Sequence, residues 1–246
     1  MHFRSTTIVL AILLVMRISA FPQNNPSASN GRLMTFRELL ESHNIELTTP
    51  ALIGALQSPD SHVRYLAALV LAEDKSTSAL PAIRKALTTE RVPETRVNIA
   101  LALAQFGDGQ GFVALRNGCG DPDAPAYLRM YSAKYLLDLH DESCLNSVVT
   151  LARSAVDLGS RVAALSLLPR FQHTLASNSQ EILGAVVKAL SDQDGVVRIA
   201  AGDALGALGD TSALPYLQHA IAREQDQAVL SRFQADLERL QEKEGH

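Results

Sequence analysis

Tryptophan is absent from the chain, and all aromatics together make up only 5% of its 246 residues. A sheet-based core of this size draws on aromatic and β-branched side chains, whereas here alanine and leucine dominate, which favours closely packed helices. An excess of basic charge is also missing. The net charge is −4, so the electrostatic footprint of a nucleic-acid binder is not present. No apolar run is long enough to cross a bilayer: the longest, Ile8 to Met16, is about half of the ~20 residues a span needs.

Recognisable site chemistry is equally sparse. There is no His-x-x-x-His metalloprotease pattern among the seven histidines, and His140 reads as part of a surface loop. Gly107 to Gly111 has the look of a phosphate loop but lacks the Gly-Lys-Ser/Thr ending and a preceding strand. Asp192 to Gly195 opens like a calcium loop, yet Val196 and Val197 stand where an oxygen ligand and a turn glycine are required. The expectation is a chain without catalytic residues, resident metal or cofactor.

What is present begins with an export signal. Arg4 supplies a positive start, Ile8 to Met16 an apolar centre, and Ile18-Ser19-Ala20 a cleavage site with a small final residue. Residues 1–20 read as a signal peptide, 21–32 as a flexible linker lacking apolar periodicity, and 33–48 as an N-terminal capping helix. The destination expected is periplasmic or secreted, with no membrane span after cleavage.

From about residue 49 the chain repeats. Arg64, Arg96, Arg129, Arg161 and Arg198 recur in one setting at spacings of 32, 33, 32 and 37 residues, and Arg232 follows 34 later as a degenerate copy. Small or apolar residues fall at +3, +4, +7, +8 and +10 from each arginine, the stripe of an amphipathic helix. Small residues at +4 and +8 allow a neighbouring helix to approach. Gly107-Asp108 and Gly209-Asp210 end two copies, glycine for a left-handed stop and aspartate to cap the next helix. A shorter helix precedes each arginine helix, as in SALPAIRKAL (78–87) and SALPYLQHAI (212–221), with proline in its first turn. Each unit is a helical hairpin that buries its apolar faces only by stacking.

The pattern from Asp194 to Asp210 (DGVVRIAAGDALGALGD) resembles HEAT and HEAT-like repeats, including those of lyases that attach bilin chromophores. The resemblance covers about residues 49–240. It implies an all-α, right-handed α-solenoid of about five to six hairpins over residues 49–244. Some HEAT-repeat hydroxylases hold di-iron through paired His-Glu motifs; this chain has no His-Glu dipeptide, so that activity does not carry over. Pro169 sits where glycine or alanine is expected, and five extra residues follow, which predicts a kink or early stop.

Asp60, Asp157 and Asp194 each precede a repeat arginine by four residues. The five arginines therefore read as a structural ladder, with the aspartates as partners and helix caps. Cys119 and Cys144 are either a disulfide or two buried thiols. If the first helices run parallel and in register, the thiols are offset by ~12 Å of rise, beyond the reach of a bridge, and free thiols are favoured.

The resemblance implies that the second helices line a concave surface, where +2, +5 and +9 face outward. Leu66, Leu69, Asn98, Leu101, Gln105, Tyr131 and Lys134 then form a partner-binding patch, unless a tighter superhelix covers the leucines. The functional expectation is a monomeric, non-catalytic scaffold binding a protein or peptide. The alternative is an accessory or catalytic subunit like the chromophore lyases. A stacking assembly unit is disfavoured by the polar last helix, Arg232 to Glu244, which reads as a solubilising cap.

Overall fold

The structure is a computed structural model that describes residues 34–171 and 175–244. The expected export signal and linker lie outside the described residues. Within them the chain is helical throughout: thirteen α-helices and three short 3-10 turns, without strands.

The first helix, α1 (Phe36–Ser42), opens with a capping box. Thr35 Oγ1 accepts from the Glu38 amide at 3.2 Å, and the Glu38 carboxylate accepts from the Thr35 amide at 2.7 Å. Its fully buried Leu40 anchors it to the repeats that follow. Six helical hairpins come next. They are α2 (Thr49–Ala55) with α3 (Ser61–Glu73), α4 (Leu80–Thr89) with α5 (Pro93–Gln105), and α6 (Gly109–Gly120) with α7 (Ala126–Asp138). The second half comprises α8 (Leu145–Ser154) with α9 (Leu158–Leu167), α10 (Leu175–Ala189) with α11 (Gly195–Leu208), and α12 (Leu214–Arg223) with α13 (Gln227–Glu244). Each second helix packs on the second helix of the next hairpin, giving the α-solenoid. α7 is packed less closely against α5 and α9 than the outer second helices are against theirs.

The small residues at +4 have the expected use. Ala68, Ala100 and Ala133 are buried between helices. The tightest approach to backbone is at Gly111 of α6, where a Cβ would lie 2.6 Å from the Ala100 carbonyl oxygen and closer still to the Ala104 amide. Only glycine lets α6 cross α5 at that distance.

Helix stops follow the repeat as well. The residue at +11 from the repeat arginine has a positive φ in four copies: Lys75, Gly107, His140 and Gly209. Glycine takes this conformation freely, while lysine and histidine carry a Cβ that opposes it. This is the structural role of His140. Both Lys75 and His140 are exposed, so no packing is lost on shortening them. Changing either to glycine is expected to raise stability by about 1 kcal/mol. Chemical denaturation of H140G and K75G checks this; a lower midpoint in both would refute the cap assignment.

Pro169 produces the early stop. α9 ends at Leu167 and the chain continues as a 3-10 turn, Leu168–Arg170, which seats Leu168 and Phe171 fully inside the core. α10 is itself bent at Asn178, whose φ of −124° is non-helical.

The last hairpin departs from the pattern at +4. There α13 places Asp236, opposite Gly202 of α11, with Val229, Phe233 and Leu240 completing the buried stripe. One carboxylate oxygen accepts from Arg239 at 2.9 Å; the other is buried without a partner. Burial and the nearby charge of Asp203, against the opposing pull of Arg239 and Arg232, push the Asp236 carboxyl up to about 6.

Candidate binding face

The ladder exists, with different acids than the sequence suggests. Asp60, Asp157 and Asp194 act as N-caps, accepting from the amides of His62, Ser160 and Val196 at 2.7–2.9 Å. The arginines instead reach the acid that follows the first helix of the next hairpin. Arg64 makes a bidentate pair with Glu90 at 2.7 and 2.9 Å, and its remaining nitrogen donates to the carbonyls of Ser58 and Pro59. Arg198 repeats the arrangement with Glu224 and the carbonyls of Asp192 and Gln193. Each glutamate also accepts two backbone amides, so its charge is met on every side. The Arg64 and Arg198 guanidiniums hold Glu90 and Glu224 below the usual carboxylate range.

Arg161 pairs with Asp192. Arg129 does not reach the next hairpin; it donates to the Cys119 carbonyl at 3.2 Å. Arg96 is exposed and, among the described residues, forms no ion pair. So three of the five arginines are inter-repeat rungs. An identical 26-residue spacing, Arg64 to Glu90 and Arg198 to Glu224, was the signal in the sequence.

The cysteines form a disulfide, with Cα atoms 6.2 Å apart. The expectation of free thiols fails because the first helices of hairpins three and four are not in register. The last turn of α6 meets the N-cap of α8, so Cys119 and Cys144 face one another.

The leucine patch fails for a related reason. Leu66 and Leu69 are 2% and 5% exposed and Leu101 is 9%. Second helices are covered by a neighbour on either side and by their own first helix, so burial wraps nearly the whole circumference of α3. These leucines belong to the core.

The other expected residues fall into two groups. Gln105 is exposed and Tyr131 is half-buried. Asn98 and Lys134 are also half-buried but already engaged, Asn98 with the Glu94 carbonyl and Tyr135, Lys134 with Asp138. Around Tyr131 lies a row that the repeat frame did not single out. Tyr127, Tyr131 and Tyr135 stand one turn apart on α7, ring centroids 6.4 and 6.3 Å apart, the first pair edge-on and the second stacked. Their i, i+4, i+8 spacing was the available signal. Tyr135 donates to Asn98 Oδ1 at 2.9 Å, and Tyr127 donates to Glu94, both on α5. The hydrogen bond to Glu94 raises the Tyr127 phenol to about 12. Burial raises that of Tyr135. The hydroxyl of Tyr131 makes no hydrogen bond to the described residues, and 41% of Tyr127 is exposed. On the same side, Asp138 links Lys134 to Arg170 at 2.5 and 2.7 Å.

A family model for HEAT repeats matches residues 49–136 and 145–237. The chain belongs to the HEAT-repeat family. The gap between the two matched stretches, 137–144, takes in the end of α7 and the turn that carries His140, and ends at Cys144. Among solved structures, this HEAT-repeat chain is similar to an engineered protein, at 21% identity and a TM-score of 0.50, over 79% of this chain and 97% of that one. It is also similar to human deoxyhypusine hydroxylase in complex with glycerol (19%, TM-score 0.43, 79% and 74%). A further match is the complex of CpcE and CpcF of phycocyanin lyase from Nostoc sp. PCC7120 (21%, TM-score 0.36, 90% and 100%). These likenesses concern the fold alone. No curated protein matches the HEAT-repeat chain. Among its described residues no helix is long and apolar enough to cross a membrane.

Proposed function

We propose that this HEAT-repeat chain is exported and acts in the periplasm or outside the cell as a monomeric, non-catalytic scaffold that binds a protein or peptide across α5 and α7. The observation that carries this reading is the tyrosine row. Tyrosine is a common anchor at protein contacts because it presents a rigid apolar ring with a polar tip. Here Tyr127 and Tyr135 are pinned to α5 by their hydroxyls, and Tyr131 between them keeps its hydroxyl available. Pinning lowers the entropy lost when a partner docks. Gln105 stands exposed on the same helix as the pinning residues and extends the face. The Cys119–Cys144 bond supports the export part of the reading, since such bonds persist in oxidising compartments.

A photo-crosslinking residue placed at Tyr131 tests it, with the exposed Gln218 of α12 as the control position. In the native envelope fraction a discrete adduct is expected from position 131 and not from 218. Equal yields from both, or none from 131, would refute the assignment of this face.

A further inference from the structure

The helix that closes the C-terminal end of the solenoid is poorly matched to its seat. The seat is made of glycine. Gly202 and Gly206 of α11 turn toward α13, and a Cβ on either would lie 2.8–2.9 Å from the side chains of Phe233, Asp236 or Arg239. α13 therefore lies against helical backbone, whose amides are already bonded within α11. Onto that surface it presents Asp236, where the other second helices present Ala68, Ala100 or Ala133. One carboxylate oxygen accepts from Arg239; the other lies over Gly202, buried and unpartnered. An ionised carboxyl held this way loses its water without gaining a full set of donors.

The charges around Asp236 do not repair this. α11 contributes Asp203, of the same sign. Arg232, on α13 itself, pairs with that Asp203 at 2.5 Å. Arg239 is the cation bonded to Asp236, at 2.9 Å. α12 also packs on α13, but its Tyr216, His219 and Arg223 are all exposed, the last two hydrogen-bonded to each other. The 3-10 turn Thr211–Ala213 packs on α13 as well and carries no titratable side chain. Burial and Asp203 together outweigh the two arginines and favour the protonated carboxyl.

The buried apolar side chains of α13 are Val229, Phe233 and Leu240, and no described helix lies beyond it. The end unit of a solenoid can open while the units behind it stay folded. We propose that α13 is a proton-operated latch: with Asp236 protonated it closes the C-terminal end of the solenoid, and with Asp236 ionised it opens from α11 more readily while the other hairpins stay folded. Opening bares Phe233 and Leu240, which are fully buried when the latch is closed.

Hydrogen exchange of the full chain at pH 5 and pH 7.5 tests the latch, each amide rate being divided by that of an unstructured peptide at the same pH. Protection over Gln227–Glu244 is expected to fall about tenfold between the two values. That is the ratio for a carboxyl titrating at about 6 in the closed helix and at 3.8 once free. Protection of α5, Pro93–Gln105, should not change. D236N, which keeps the shape and removes the charge, should show the same α13 protection at both values. No fall over α13, an equal fall over α5, or a fall that persists in D236N overturns the proposal.

Discussion

Replacing Cys119 and Cys144 together by alanine is expected to lower stability by about 3 kcal/mol. The bond closes a loop of 25 residues, and the unfolded chain loses that much freedom when it is made. The loss should not be spread evenly. All of α7 lies inside the loop, and α7 is the second helix least closely packed against the second helices beside it. Hydrogen exchange should therefore accelerate most over Ala126–Asp138. Three of the five tyrosines sit on that helix and tryptophan is absent, so tyrosine emission reports on α7 directly. Unchanged protection of α7 in the double variant would mean that the hydroxyl bridges to Glu94 and Asn98 hold the helix without the covalent bond.

Asp236 gives the second large effect, and it depends on pH. Its folded-state carboxyl titrates near 6 against an ordinary 3.8, so the folded chain takes up the proton first. The protonated form is favoured on folding, and the advantage is lost as pH rises from about 3.8 through 6. At neutral pH the charged group costs about 2–3 kcal/mol. D236N, which keeps an oxygen for Arg239 but carries no charge, is expected to stabilise the chain by that amount at pH 7 and by little at pH 4. Denaturant midpoints of the two proteins at both values measure it. A constant difference across pH would show that the charge of Asp236 is already offset in the folded state.

Much of this architecture is legible in the amino-acid order. The recurring arginine, the small residue at +4 and the stop at +11 each have a local physical cause, and each falls in the structure where the repeat frame places it. The stop before Pro169 is legible for the same reason, since proline removes a helical donor wherever it stands. What the frame misjudges depends on distances between helices. Leu66, Leu69 and Leu101 look outward only if a second helix has an open side, and stacking closes it. Cys119 and Cys144 look too far apart only if successive first helices are in register. The aspartate four residues before Arg64, Arg161 and Arg198 is a plausible partner by spacing, but a helix N-terminus competes for the same carboxylate and wins it. The tyrosine row is legible as a stripe, while its attachment to Glu94 and Asn98 depends on how α5 and α7 face one another.

The joints between hairpins are made in three different chemistries. Ion pairs occur at every joint, with Arg84–Asp108 at the second and Arg116–Asp141 at the third, and to these the second joint adds tyrosine hydroxyls and the third a covalent bond. A solenoid in which each unit touches only its neighbours opens at whichever joint is weakest under the conditions at hand. Acid acts on the glutamate rungs: Glu90 and Glu224 titrate below their ordinary value, so their contribution is present above about pH 4.5 and fades as pH falls further. A thiol reductant leaves those rungs alone and acts at the third joint. The first and last joints are therefore sensitive to acid through their glutamates, while the third is sensitive to acid through Asp141 and also to reduction through its covalent bond.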